Sequence, residues 1–379
     1  MSPSFETALA DLVGCESPSD EPRAVEQALD VLAGTVRAVA GDEATWTSTP
    51  DGPPVLAWHR GDPDDPRRVL LLGHADTVWP VGTLAERPFT VDENGRAYGP
   101  GVFDMKAGLV VAVFALAGLD RSWPVSLVVT GDEEIGSPGS RDAIAEQAGR
   151  CQASLVLEGA GPDGALKSRR KGRSVYTYRL RGLAAHAGLE PERGRNALVR
   201  LATLVHQVVA LADPAEGRSV TPTRATAGRT VNTVPDTAEL SLDVRVASAA
   251  DQEGVDRALR GLGGTDDSGV EVTLDGGIDR PPMEQEATAA LLDRVATLDA
   301  AGSLPEPPHV AVGGISDANL TAAAGVPTLD GLGAVGGGAH ADHEWVALEE
   351  TRRRVDLVSA LVATLVADPL PTPRTSRRP

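Results

Sequence analysis

The chain has 379 residues, 41% hydrophobic and 23% charged, with only 3% aromatic residues; it reads as globular with a mainly aliphatic core and is long enough for two domains. Thirty-five basic against fifty-four acidic residues leave a net charge of -19, a surface that repels phosphate backbones and argues against a nucleic-acid partner while tolerating divalent cations. Cys15 and Cys151 lack the paired spacing of a zinc knuckle or redox motif and read as free thiols. The first twenty residues have no basic region followed by an apolar core, and no charge-free run is long enough to span a bilayer. A cytoplasmic protein without membrane association is expected.

Residues 5–13 and 21–36 carry helical periodicity, separated by the Ser-Pro-Ser break at Ser17, Pro18 and Ser19. A hairpin is expected near 55–59, a polar loop over 61–67, and a continuous apolar strand over 69–72. The Pro- and Gly-rich stretch 80–100 reads as irregular, and 107–119 as a small, apolar, buried helix. Further apolar strands are expected at 125–129 and 155–157, with a helix over 141–148 between them. Strand alternating with helix predicts a mixed or parallel sheet covered by helices, with the polar strand ends converging on one rim. Near Lys167 the character changes: SRRKG reads as a basic, turn-rich junction. The segments 174–180, 239–246 and 270–274 are strands, the first two alternating, and 196–211 and 251–262 are helices. That pattern predicts a two-layer α+β domain over 172–281, inserted into a larger domain formed by 1–171 and 282–370. After Pro281 and Pro282 a helix at 287–298, short apolar segments at 310–311 and 326–329, and a closing helix over 348–366 complete the larger domain. The tail 371–379 is expected to be disordered.

In LVVTGDEEIGSPGSR a buried strand runs straight into Asp132, Glu133 and Glu134. Adjacent carboxylates at the end of an apolar strand need a cation, a proton or a helix start. Three other segments read as strand ends with similar groups: His74 and Asp76 in LLLGHADTV, Asp104 in GPGVFDMKAG, and Glu158 in LVLEGAG. A fifth cluster, GGGAHADHEWV, holds His340, Asp342, His343 and Glu344. Singly, each is matched by a plainer role: a core histidine, a salt bridge with Lys106, a glycine-loop acid. Jointly, buried acids and imidazoles require counter-charge, and the mixture without thiolates suits zinc, manganese or cobalt in a reactive rather than a structural site.

The segments HADT, GPGVFDMKAG, TGDEEIGSPGSR, LEGAG, GLAAHAG, VNTVPD, GGISDAN and GAHADHEW, in this order, resemble the M20 metallopeptidase family. Within it the likeness is nearest to glutamate carboxypeptidases, with acetylornithine deacetylase and succinyl-diaminopimelate desuccinylase as cousins. The resemblance implies two divalent ions, zinc or else cobalt or manganese, bridged by Asp104. One would be held also by His74 and Glu158, the other by Glu134 and His340, with His343 a rival for the last place. It implies further that Asp76 orients His74, that Glu133 is the general base, and that the peptide from Asp104 to Met105 is cis. His186 would reach a partner subunit's active site and steady the oxyanion, through a homodimer formed by the inserted domain. Asn232 would bind substrate, and Arg280 or its rival Arg245 would clamp a substrate carboxylate. Ser316 and Asp317 would shape the metal-side loop, and Trp345 would stack on the loop. Met105 and Ala107 depart from the family's frequent second acid and glycine, which should leave the ligands in place and reshape the pocket.

The expected function is hydrolysis of an amide or peptide bond next to a free carboxylate, in an N-acyl amino acid or short peptide. A deacylase of the acetylornithine or succinyl-diaminopimelate type is the alternative. A non-catalytic, metal-stabilised binding protein is a third reading, opposed by the presence of Glu133 beside the whole donor set.

Overall fold

The computed structural model describes residues 2–49, 52–300, 304 and 306–371; all of the 371–379 tail but Pro371 lies outside the described residues. The chain divides into two compact units, the first made of Met1–Arg169, Gln285–Val312 and Ser316–Pro379, the second of Arg170–Glu284 and Gly313–Ile315.

The first unit is built on a six-stranded mixed sheet. Its order is Thr45–Thr49, Gly52–Arg60, Val125–Thr130, Val69–His74, Ala153–Val156 and Thr328–Leu329. The first two pairings are antiparallel and the remaining three parallel. VLLLGH, VSLVVT and ASLV are buried at every position, as strands covered on both faces must be. Helix Ala107–Ala117 is apolar all round and lies between Pro22–Ala40 and Leu348–Ala367, whose apolar stripes face it. Gly108 makes its seat possible, since a Cβ there would stand 2.0 Å from the Leu157 carbonyl oxygen. That close approach sets the start of the helix against the strand end that leads to Glu158.

The second unit is a five-stranded antiparallel sheet, in the order Ser219–Ala227, Thr237–Val246, Gly172–Arg181, Glu271–Arg280 and Gly264–Thr265. Tyr176, Tyr178 and Leu180 alternate inward, as do Leu240, Leu242, Val244 and Val246, and all pack with helices Ala197–Val209 and Ala249–Arg260. One covered face with one polar face is what period-two patterning dictates.

Several expectations need correction. The basic junction is partly a strand, Leu166–Arg170, paired with His309–Val312. Its alternate residues Leu166, Ser168 and Arg170 are buried, and Arg170 Nη1 donates to the carbonyls of Gly314 and Ile315. The irregular stretch 80–100 contains a short helix, Thr83–Glu86, and two short strands, Thr90–Val91 and Arg96–Tyr98, the latter pairing with Trp345–Ala347. Ser219–Ala227 is a strand that the sequence did not announce. No helix among the described residues is long and apolar enough to cross a membrane.

Candidate metal centre

Because Val125–Thr130, Val69–His74 and Ala153–Val156 run parallel, their carboxyl ends lie on one rim. His74 ends one of these strands, Glu133 and Glu134 follow another in the single turn Glu133–Ile135, and Glu158 follows the third. Asp104 is not a fourth strand end, contrary to expectation. It sits in the turn Val102–Lys106 that opens helix Ala107–Ala117, and its peptide to Met105 is cis, as the resemblance implied.

His74, Asp104 and Glu134 bring one donor atom each within 4.8 Å of one another. His74 Nε2 is buried without a hydrogen-bond partner, 3.4 Å from Asp104 Oδ1 and 3.7 Å from Glu158 Oε1. The other Asp104 oxygen, Oδ2, faces His340 Nε2 at 3.4 Å, and His340 Nε2 lies 3.1 Å from Glu134 Oε2. An orphaned imidazole nitrogen among carboxylate oxygens is a poor arrangement for a protein alone and a suitable one around a divalent cation. The residues present therefore fit a metal. His340 adopts φ 60 with its side chain 51% exposed and faces Asp104 and Glu134, whereas His343 is exposed.

The electrostatics follow from burial and contact. Burial opposes charge on both His74 and Asp104, yet their mutual contacts, with Asp76 and His340, raise the imidazole well above its usual value and hold the Asp104 carboxyl well below its own. Asp104 and Glu134 together push His340 up to about 10. Burial raises Glu134, with the His340 contact pulling against it. A cation bound among these acids would take the place of the imidazole protons.

Around the donors stands a shell of buried acceptors. Asp76 is fully buried and lies 3.3 Å from His74 Nδ1; its oxygens accept from Ser19 Oγ at 2.6 Å, Glu133 N at 3.1 Å and Glu134 N at 3.0 Å. Burial works against its ionisation, but these donors and the His74 ring keep its carboxyl below the ordinary range. Asp132 accepts from Ser140 Oγ and the Gly139 amide, closing the loop after the two glutamates. Asp317 accepts from Ser137 Oγ at 2.5 Å and Thr130 Oγ1 at 3.2 Å, and Ser316 Oγ donates to Asp330; both residues bond within the loops around the site. Met105 is buried and accepts the His74 amide on its sulfur at 3.3 Å, so it packs beneath His74. Trp345 stacks beneath the Arg96 guanidinium at 4.2 Å.

Two nearby residues have roles that sequence alone does not reveal. Lys167 places its ammonium 3.8 Å from Glu158 Oε2, and its position at the apparent domain junction masked it. Glu344 was grouped with the possible ligands, but it binds backbone amides of the Asp104 turn instead.

The remaining predicted residues belong to the second unit. His186 and Asn232 lie on adjacent segments joined by the Ala187 amide donating to the Asn232 carbonyl at 2.9 Å, and both are exposed. His186 Nδ1 accepts from the Gly188 amide at 3.1 Å, so the neutral ring carries its proton on Nε2. Arg245 is paired to Asp243 at 2.8 Å, and Arg280 is fully buried at the end of strand Glu271–Arg280.

The chain is 33% identical over 315 residues to carboxypeptidase G2 of Pseudomonas sp. (strain RS-16), covering 79% of this chain and 74% of that protein. It is 32% identical over 216 residues to a succinyl-diaminopimelate desuccinylase of Ruegeria pomeroyi, covering 52% and 54% respectively. Among solved structures it shares the fold of aminopeptidase PepT from Bacillus cereus, with TM-score 0.74, 20% identity and 96% and 98% of the two chains covered. An M20 family metallo-carboxypeptidase from Sulfolobus solfataricus superposes with TM-score 0.72 at 18% identity, covering 96% and 100%. The description Peptidase family M20/M25/M40 matches residues 70–364, which span both units and every donor named above: the chain belongs to that family.

Proposed function

We propose that this metal-dependent hydrolase cleaves an amide or peptide bond next to a free carboxylate, as a carboxypeptidase or N-acyl-amino-acid amidohydrolase, with two divalent ions bridged by Asp104. The observation that supports the proposal is that Asp104 Oδ1 and Oδ2 each lie 3.4 Å from a different imidazole, His74 Nε2 and His340 Nε2, with Glu158 near the first ring and Glu134 near the second. Zinc suits this set of two imidazoles and three carboxylates, and cobalt or manganese would be accepted by the same donors.

When bound, such ions lower the pKa of water and polarise a carbonyl. The chain's own residues do the rest. Glu133 accepts the proton of the attacking water on its carboxylate and delivers it to the leaving nitrogen. Its amide and that of Glu134 share the Asp76 carboxylate, so the base and the neighbouring ligand are set by one anchor. His186 offers an Nε2 proton to the developing oxyanion, a donor of the kind worth about 3 to 4 kcal/mol in other hydrolases. Asn232 and an arginine receive the substrate carboxylate. Arg245 suits that role better than Arg280, which has no exposed surface.

A homodimer through the second unit, with His186 acting on the partner's site, is part of the proposal. Leu198, Val199 and Val209 are exposed on helix Ala197–Val209, and strand Ser219–Ala227 is an open sheet edge. A cytoplasmic setting and a small-solute substrate complete it.

The test is metal content after mild purification, with hydrolysis of a panel of N-acyl amino acids and dipeptides in the presence of zinc, cobalt or manganese. Close to two ions per chain and turnover of carboxylate-bearing amides are expected; no bound metal, or no turnover across the panel, refutes the reading. Preference within the panel for acetylornithine or succinyl-diaminopimelate would select the deacylase alternative, which the desuccinylase likeness favours. Glu133→Ala and His186→Ala chains, mixed and reassociated, should regain partial activity if His186 acts across a dimer, and a monomeric protein would exclude that route.

A further inference from the structure

Glu344 is 2% exposed and follows His340 by four residues. Its Oε1 accepts the amides of Phe103 at 2.8 Å and Asp104 at 3.0 Å. Its Oε2 accepts the amide of Gly101 at 2.9 Å and the indole N–H of Trp79 at 3.0 Å. A carboxylate offers about four lone-pair sites, and here all are taken by N–H donors. Glu344 is thereby saturated and is no metal ligand, despite standing in the histidine-rich segment. The segment itself is a compact turn, in which Ala341 N donates to the Gly338 carbonyl at 2.9 Å and Glu344 N to the Ala341 carbonyl at 3.0 Å. Gly338 has φ 79, and a Cβ on it would come 3.0 Å from Glu344 Cα, so the turn closes directly onto the glutamate. One side chain thus ties the turn bearing His340 to the turn bearing Asp104.

We propose that Glu344 is a positioning residue that locks the His340 turn to the Asp104 turn, so that its loss weakens cation binding at the Glu134 and His340 side far more than at the His74 and Glu158 side. The inference rests on the two-ion reading above. His74 and Glu158 are carried by strand ends of the sheet, and neither bonds to Glu344 among the contacts described. His340 lies instead in the loop between the short paired strands Gly336–Gly337 and Trp345–Ala347, and the Glu344 side chain ties that loop to the Asp104 turn.

The experiment titrates metal-free protein with Zn2+ by calorimetry and with Co2+ by visible absorption, recording the melting temperature of the metal-free protein for each variant. In Glu344→Gln one amide NH2 must face two N–H donors, whichever way the side chain is turned. One class of site should then weaken by about tenfold to a hundredfold, the size of effect known for supports of metal ligands, with the other class within about threefold. Trp79→Phe keeps an aromatic ring beneath Arg87 but removes one of the four donors. Combined with Glu344→Gln it relieves one of the two conflicts, so the double variant should regain part of the lost affinity. Should Glu344→Gln fail to fold, Glu344→Asp, whose carboxylate stops one methylene short of the amides, gives the same comparison. Wild-type affinity at both classes in the variant overturns the proposal. So does equal weakening of both classes with a lowered metal-free melting temperature and no recovery in the double variant, because that pattern marks general damage to the fold. A wild-type chain that takes up no ion refutes the metal centre itself, and one that takes up a single ion refutes the two-ion reading.

Discussion

Replacing Asp76 with Ala tests whether the donors depend on their buried support. Asp76 has no exposed surface, so the amides of Glu133 and Glu134 would lose their acceptor where water does not readily follow. At about 1 to 3 kcal/mol for each buried donor left unsatisfied, the two amides together cost roughly 2 to 6 kcal/mol, and the Ser19 hydroxyl adds less because it can rotate. His74 loses the carboxylate at 3.3 Å from Nδ1 but keeps the Asp76 backbone carbonyl at 3.0 Å from the same nitrogen, so metal binding should weaken by about tenfold, the low end for such supports. The assays are thermal unfolding of the metal-free protein near neutral pH and competition for zinc with a chromogenic chelator. The sign with pH follows from the depressed carboxyl. Its folded value lies below the ordinary 3.8, so the wild-type advantage is complete above that pH and is lost only as pH falls through the folded value. A variant whose melting temperature and zinc affinity both match the wild type, within about a degree and about threefold, would refute the reasoning.

Glu133→Ala should lower turnover by about 10²- to 10⁴-fold with metal content unchanged; loss of metal instead would show that Glu133 and Glu134 have exchanged roles. Lys106 is buried and its ammonium is depressed from 10.5 to about 8, mainly by burial. Between those values the unfolded chain binds the extra proton, so wild-type stability relative to Lys106→Met should rise with pH across that window by up to roughly 3 kcal/mol and stay flat below it. Denaturant unfolding of both chains at a series of pH values measures the difference, and a constant difference would refute the assignment. Gly338→Ala forces a Cβ into a left-handed backbone at a cost of about 1 to 2 kcal/mol, besides the 3.0 Å contact with Glu344, and should lower both melting temperature and zinc affinity.

The elements that were legible in the sequence are those whose burial is uniform. VLLLG and the helix after Lys106 are apolar without interruption and VSLVV is broken only by Ser126, and such a run has few ways to be satisfied other than inside a covered sheet or beneath one. Strand Ser219–Ala227 was illegible for the opposite reason. It lies at a sheet edge with most positions exposed, carries Pro222, and shifts register between Pro222 and Arg224, so no apolar alternation marks it despite its β-branched residues. Leu166–Arg170 hid behind three basic residues, because burial of Arg170 depends on carbonyls of Gly314 and Ile315, far away in the chain. The turn holding Asp104 reads as a strand end in sequence because GPGVF looks like a short apolar run closed by an acid, and the acceptor that shapes it lies some 240 residues later.

That last distance explains why the donors were easier to name than the groups that hold them. A strand end that must present a ligand leaves the regular hydrogen-bond ladder at that point, and its amides need other acceptors. Here buried carboxylates supply many of them: Asp76 for the Glu133 and Glu134 amides, Asp132 for Gly139 and Ser140, and Glu344 for the turn of Asp104. Each stands within a few residues of a donor in sequence, and each has the same chemical identity as a ligand. Sequence can therefore count the acids at such a rim, but it cannot divide them, because the division depends on where their lone pairs go. Glu344 spends all of its lone pairs on N–H groups, whereas the two oxygens of Asp104 turn toward imidazoles and other acids. Saturation by N–H donors thus separates a support from a ligand. Removing a ligand should abolish binding of its ion, whereas removing a support should leave the donor set complete but loosened, with graded losses of affinity.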